Sequence, residues 1–192
     1  AGLDGLGTWF ATANDPAAKA GQAPARYLYA LGFGFTGSTA SGTIGLVTVP
    51  EGKFALLTVR GPDGKSYDAA IPFDWEDGRF YFPLVHQLAP GVWGGWVFDH
   101  SGGTWVPIGQ VSLPAAWGKL SPSSYTASLW LGAPAATCSA YPAADVLVHP
   151  PIGFSGSTTS QGQRGFSGAP AGACAGQASV EHDLWARYRS GS

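Results

Sequence analysis

The chain has no methionine among its 192 residues, little charge and only two cysteines. Each shortage excludes something. Without Met the chain does not begin at an initiator residue. Removal of a secretory signal, leaving Ala1 as the mature end, is the expected cause, and a trimmed polypeptide is the alternative. Charged residues make up 11% and the net charge is −2, so no electrostatic footprint points to nucleic acid. No apolar run approaches the roughly 20 residues of a membrane span. The cysteines, Cys138 and Cys174, have no His or Cys at ligand spacing, which argues against zinc. They fit one disulfide in an oxidising, extracellular compartment, with two buried thiols as the other reading. In the chain-entropy model that closure contributes roughly 4 kcal/mol.

What is present is turn-forming and aromatic. Glycine numbers 29 and proline 15, yet 45% of the chain is hydrophobic and 13% aromatic. Disordered chains lack aromatics, so this composition indicates a folded domain with many turns. The length suits a single domain over residues 1–192. That is enough chain to bury a real core.

Residues 73–113 hold four of the eight tryptophans and read as three strands with two turns. Along 79–86 both faces are apolar: Phe80, Phe82 and Leu84 on one, Tyr81, Pro83 and Val85 on the other. Pro83 cannot donate to a ladder, which predicts an edge strand or a bulge there. Residues 92–99 set Val92, Trp96 and Phe98 against Trp93, Val97 and Asp99. After His100-Ser-Gly-Gly103 the chain returns, with Trp105, Val111 and Leu113 on one face and Val106 and Ile108 on the other.

The rest is also strand and turn. Residues 1–24 offer one strand at a sheet edge. Residues 26–35 place Tyr27, Tyr29, Leu31, Phe33 and Phe35 on one face and small residues, Ala30, Gly32 and Gly34, on the other. Small residues there predict close approach of another layer or a ligand. Residues 43–49 form a strand, and 54–60 with 65–73 a hairpin around Gly61-Pro-Asp-Gly64. Residues 125–131 and 145–149 are further strands. Residues 153–177, rich in Gly and Ser, read as a long loop tethered by Cys174. Residues 180–189 have both helical and alternating spacing, and the β context favours a closing strand. About ten strands and hardly any helical pattern predict an all-β antiparallel sandwich of jelly-roll, concanavalin-like type.

Several of these residues carry a resemblance. The order Trp75, Asp77, Gly78, Tyr81, then Trp93, Trp96, Val97, Asp99, then Ile108-Gly109 is followed by Trp130 ahead of Cys138 and by Val146 with Pro150. Over residues 26–150 this pattern resembles secreted, mainly actinobacterial, β-sandwich proteins with a domain of unknown function. The resemblance implies a jelly-roll shape and an extracellular address, and it implies no established activity. Members often carry a glutamate on the strand that here reads Ala127-Ser-Leu-Trp130. No acid stands there in this chain.

Three sets of residues could carry chemistry. Aromatic faces stack on the CH faces of pyranoses, so Trp93 and Trp130, then Trp105 and Trp75, with Asp99 nearby, are the expected ligand-binding residues for a polysaccharide or cell-envelope glycan. Set against this, large aromatics dominate sandwich interiors. A polysaccharide-degrading enzyme would need facing acids, Asp77 and Asp99, or a His86–Tyr81 pair. Against that, Asp77-Gly78 and Asp99 sit where ordinary Asx turns occur. No Gly-x-Ser-x-Gly elbow completes a triad beginning at Asp99-His100. The same acids could hold Ca²⁺, but no spaced Asp/Asn loop is present, so no cofactor is expected. The leading expectation is a secreted, non-enzymatic glycan-binding domain. A self-assembling cell-surface protein is a further reading, because low charge and open edge strands suit self-association.

Overall fold

A computed structural model describes residues 2–16, 27–130, 143–162, 178–182 and 185–190. Its strands are β1 (Gly5–Gly7), β2 (Phe10–Asn14), β3 (Tyr27–Phe35), β4 (Ser38–Val49), β5 (Gly52–Arg60), β6 (Ser66–Pro72), β7 (Phe80–Ala89), β8 (Val92–Asp99), β9 (Thr104–Ser112), β10 (Leu120–Trp130), β11 (Ala144–Val148), β12 (Ile152–Ser155), β13 (Thr158–Gln161), β14 (Ala178–His182) and β15 (Ala186–Ser190). Two sheets form an antiparallel β-sandwich of jelly-roll type. The smaller runs β10-β3-β4-β5-β6. In the larger, β7 is the spine. It pairs with β8 and then β9 on one side. On the other side it pairs with β1, which leads to β12 and β13, and with β2, which leads to β11, β15 and β14.

The expected alternation explains the core. Tyr27, Tyr29, Leu31, Phe33 and Phe35 are all buried, and they meet Val85, Trp93 and Val97 of the large sheet within one cluster. Each such side chain stabilises the fold by about 1.5–3 kcal/mol on leaving water. On the other face of β3 the predicted close approach is made by the chain itself. A Cβ on Gly32 would lie 2.1 Å from the Tyr125 ring, so Tyr125 lies over this glycine.

Four local expectations are corrected. First, β1 and β2 lie inside the large sheet, because each pairs on both sides. Second, Pro83 sits in the central strand. Its missing N–H falls opposite Thr8, in the gap between β1 and β2, and its carbonyl accepts the Thr8 N–H at 3.3 Å. The break in the neighbouring strand removes the need for that donor. Third, the start of the supposed loop is a hairpin: β12 pairs with β13 from Ile152↔Gln161 to Ser155↔Thr158. Residues 163–177 lie outside the described residues. Fourth, residues 180–189 do not form one closing strand but belong to two, β14 and β15, paired with each other.

Candidate functional site

The sequence-predicted residues separate into two environments. Trp75 is 0% and Trp93 1% exposed, so neither ring is a binding platform. This corrects the expectation for both. Trp75 meets Tyr29 edge-on at 5.5 Å, and for Trp93 the cause is register: Tyr81↔Asp99 and Val85↔Gly95 put Trp93 and Val97 on the inner face of β8. There Trp93 meets Phe35 of the other sheet edge-on at 5.8 Å. Trp105 is 50% exposed and points outward. A bulge explains how it leaves the face of Val111 and Leu113. Gly95 opposes Gly109 and Trp96 opposes Pro107, leaving Ile108 as the extra residue and reversing the alternation. Gly109 takes φ +140°, which suits glycine. Trp130 ends β10, but its side chain lies outside the described residues, as do Cys138 and Cys174 and hence the expected disulfide.

The candidate catalytic groups do not gather. Tyr81 and His86 stand on opposite faces of β7, since their positions differ by an odd number. Tyr81 is buried, which raises its phenol pKa above the usual range, and its Oη accepts the Glu76 N–H at 2.9 Å. Asp99 Oδ1 accepts the N–H groups of Ser101 at 2.9 Å and Gly102 at 3.3 Å, holding the β8–β9 turn. Asp77 accepts the Asp15 N–H with both oxygens, at 3.0 and 3.1 Å. Both acids therefore hold backbone. Among the described residues no group of three or more His, Cys, Asp or Glu side chains is assembled for a metal.

Asp15 itself went unremarked in the sequence, yet it is 1% exposed. Its carboxylate accepts the Tyr29 hydroxyl at 3.2 Å and the Thr48 hydroxyl at 3.1 Å, with Lys53 Nζ at 3.7 Å. Lys53 also donates to the Trp75 carbonyl at 2.7 Å and lies 4.2 Å over the Trp75 ring. Burial pushes the Asp15 pKa above the ordinary carboxylate range, and Lys53 opposes that rise. Desolvation also drives the Tyr29 phenol upward. This polar pin joins the end of β2 to β3, β4 and β5, and so ties one sheet to the other.

The residues best placed to meet a ligand are a row of aromatics on the outer face of the large sheet. Trp105 on β9 lies 5.1 Å from Phe98 on β8 and 6.3 Å from Phe82 on β7. Trp9, between β1 and β2, is 5.0 Å from Phe82, 6.0 Å from Phe98 and 5.7 Å from His100. Phe80 continues the row, 6.5 Å from His100 and 5.4 Å from Trp185, and Trp185 meets His149 at 5.1 Å. Phe82 is pressed over Gly7, where a Cβ would stand 2.5 Å from its ring, and it is buried, so it supports the neighbouring rings and offers no surface of its own. The signal for this face was in the sequence, because β7 is apolar on both sides. The sequence reading favoured the wrong side of β8.

No family model matches the chain, and no curated protein matches it. Among solved structures the chain is similar to Scytalido-glutamic peptidase crystallised with a peptide-based transition-state analog. The TM-score is 0.54 at 11% identity, covering 100% of this chain and 94% of that one. A second crystal structure of that peptidase, with a transition-state analog inhibitor, matches with a TM-score of 0.53 at 11% identity and the same coverage. At this identity the likeness is one of fold, a β-rich architecture shared over nearly the whole of both chains.

Proposed function

We propose that the protein is a secreted, non-enzymatic binding protein for a polysaccharide or cell-envelope glycan, and that the outer aromatic row is its binding surface. The observation that carries this reading is the row itself. Rings from Trp105 to Trp185 cross the large sheet in contact with one another, with Trp105 half-exposed at one end. Aromatic side chains on a solvent-facing sheet surface offer flat apolar area next to polar edges, which sugar rings match with CH faces and hydroxyls. The enzymatic alternative has weaker support. Asp77 holds the backbone of Asp15 and Asp99 holds a turn, and His86 and Tyr81 stand on opposite faces of β7.

The test is tryptophan fluorescence during titration with soluble polysaccharides, assaying the same samples for new reducing ends and unsaturated products. A saturable shift without products is expected. Products would replace binding with catalysis. A response to unfolded polypeptide and to no glycan would move the ligand class to that of the peptidases whose fold the chain shares.

A further inference from the structure

We infer that the outer row is built for an uncharged, linear glycan laid across the strands, an inference that rests on the glycan-binding reading above. The first observation is direction. The rings follow the strand order β9-β8-β7-β2-β11-β15 of the large sheet: Trp105 on β9, Phe98 on β8, Phe80 on β7 with Phe82 buried beside it, Trp9 just before β2, His149 just after β11 and Trp185 just before β15. Neighbouring centroids lie between 5.0 Å and 6.5 Å apart. Adjacent strands are spaced at about 4.8 Å, so rings carried by neighbouring strands, as Trp105 and Phe98 are at 5.1 Å, stand about one strand apart. The row therefore runs across the strands as a track, a shape that an extended polymer fills and a single monosaccharide does not.

The second observation is charge. No strand of the large sheet contains lysine. Arg187 holds Asp145 through Nε at 2.8 Å and Nη2 at 2.5 Å. Arg189 reaches Glu181 at 2.6 Å and Asp145 at 3.4 Å. Arg79, at the start of β7, pairs with Glu76 at 2.9 Å. A carboxylate or sulfate on the ligand would have to displace one of these acids, because each arginine already has a partner. The third observation is the rim. Gln110 on β9 opposes Gly94 on β8 and is exposed. Gln161 Nε2 lies 3.2 Å from His149 Nε2, beside Trp185. Such amides serve neutral hydroxyls as both donors and acceptors.

The experiment titrates the intact chain with neutral soluble glucans, mannans and galactans, and with carboxymethylated or sulfated forms of the same backbones. Each titration is run at low salt and at about 0.5 M, where the screening length falls to about 4 Å. The expected result is binding of a neutral glycan, with affinity rising with oligomer length and changing less than about twofold with salt. Trp105→Ala should weaken it roughly tenfold while the circular dichroism spectrum and melting transition stay in place. Preferential binding of the anionic forms, lost at high salt, would overturn the inference and leave the glycan reading intact. Length-independent binding of short oligomers would overturn the track. Binding of no glycan would overturn both.

Discussion

The two faces of the β7–β8–β9 meander carry the same kind of residue and meet different fates. Inside are Tyr81, Val85, Trp93 and Val97, sealed against the small sheet. Outside are Phe80, Phe98 and Trp105, with Phe82 buried among them, in contact mainly with one another, Trp9 and Trp185. An aromatic ring adds to stability in proportion to the area it removes from water. By that measure the inner rings hold the fold, while Trp105 contributes little to it and keeps much of its surface for a ligand. Hydrophobicity alone does not separate the two sets, and register does.

The sharpest way to break this comparison is to truncate the inner face. Trp93→Ala is expected to cost about 3–5 kcal/mol, the range for buried large aromatics, and to lower the melting temperature steeply. A shift of only a degree or two would mean that the ring is not sealed in the core. Asp15→Ala comes next, at roughly 2–4 kcal/mol, because it strands Lys53, Tyr29 and Thr48 without their shared acceptor. Denaturant unfolding measures both.

Asp15 also gives a pH signature. Its folded pKa is raised by burial, so the native state binds its proton more tightly than the unfolded chain does. The stability from this group is full below the unfolded value of about 3.9 and is lost as pH rises through the folded value. Asp15→Asn should flatten the stability profile over that window. An unchanged slope would show that other groups set it. Asp145 has the opposite sign. Its hydrogen bonds with Arg187 lower its pKa, so its contribution is present above the unfolded value and is lost as pH falls through the folded one. The pair is partly exposed, so Asp145→Asn should cost no more than about 1 kcal/mol.

The smallest effect on stability sharpens the comparison most. Trp105→Ala should change unfolding free energy by less than about 1 kcal/mol, as exposed substitutions do. A loss comparable to that of Trp93→Ala would show that the outer row is a second core layer and leave the glycan track without its end platform.

Much of the architecture was legible because β structure has a period of two. The run from Tyr27 to Phe35 named its own core face, and the Gly61-Pro-Asp-Gly64 turn placed the β5–β6 hairpin. The site was only half legible. Both apolar faces of β7 were visible, but nothing local says which one meets the second sheet. In β9 the bulge at Ile108 reversed the alternation, so Trp105 parted from Val111 and Leu113. Asp15 gave no signal at all. Its partners stand 14, 33 and 38 positions along the chain, and only folding brings Tyr29, Thr48 and Lys53 to one carboxylate.

By itself, the sequence determined the class of the molecule: many short strands, frequent turns, abundant rings and little charge. Those properties are local or compositional, so they survive being read one residue at a time. Only the tertiary structure decided which tryptophans stabilise the fold and which face water. It also decided that Pro83 could lie in a central strand opposite a break, and that a buried carboxylate would pin the two sheets. Each of these depends on which strand lies beside which and in what register, and that is set when both sheets close over a shared core.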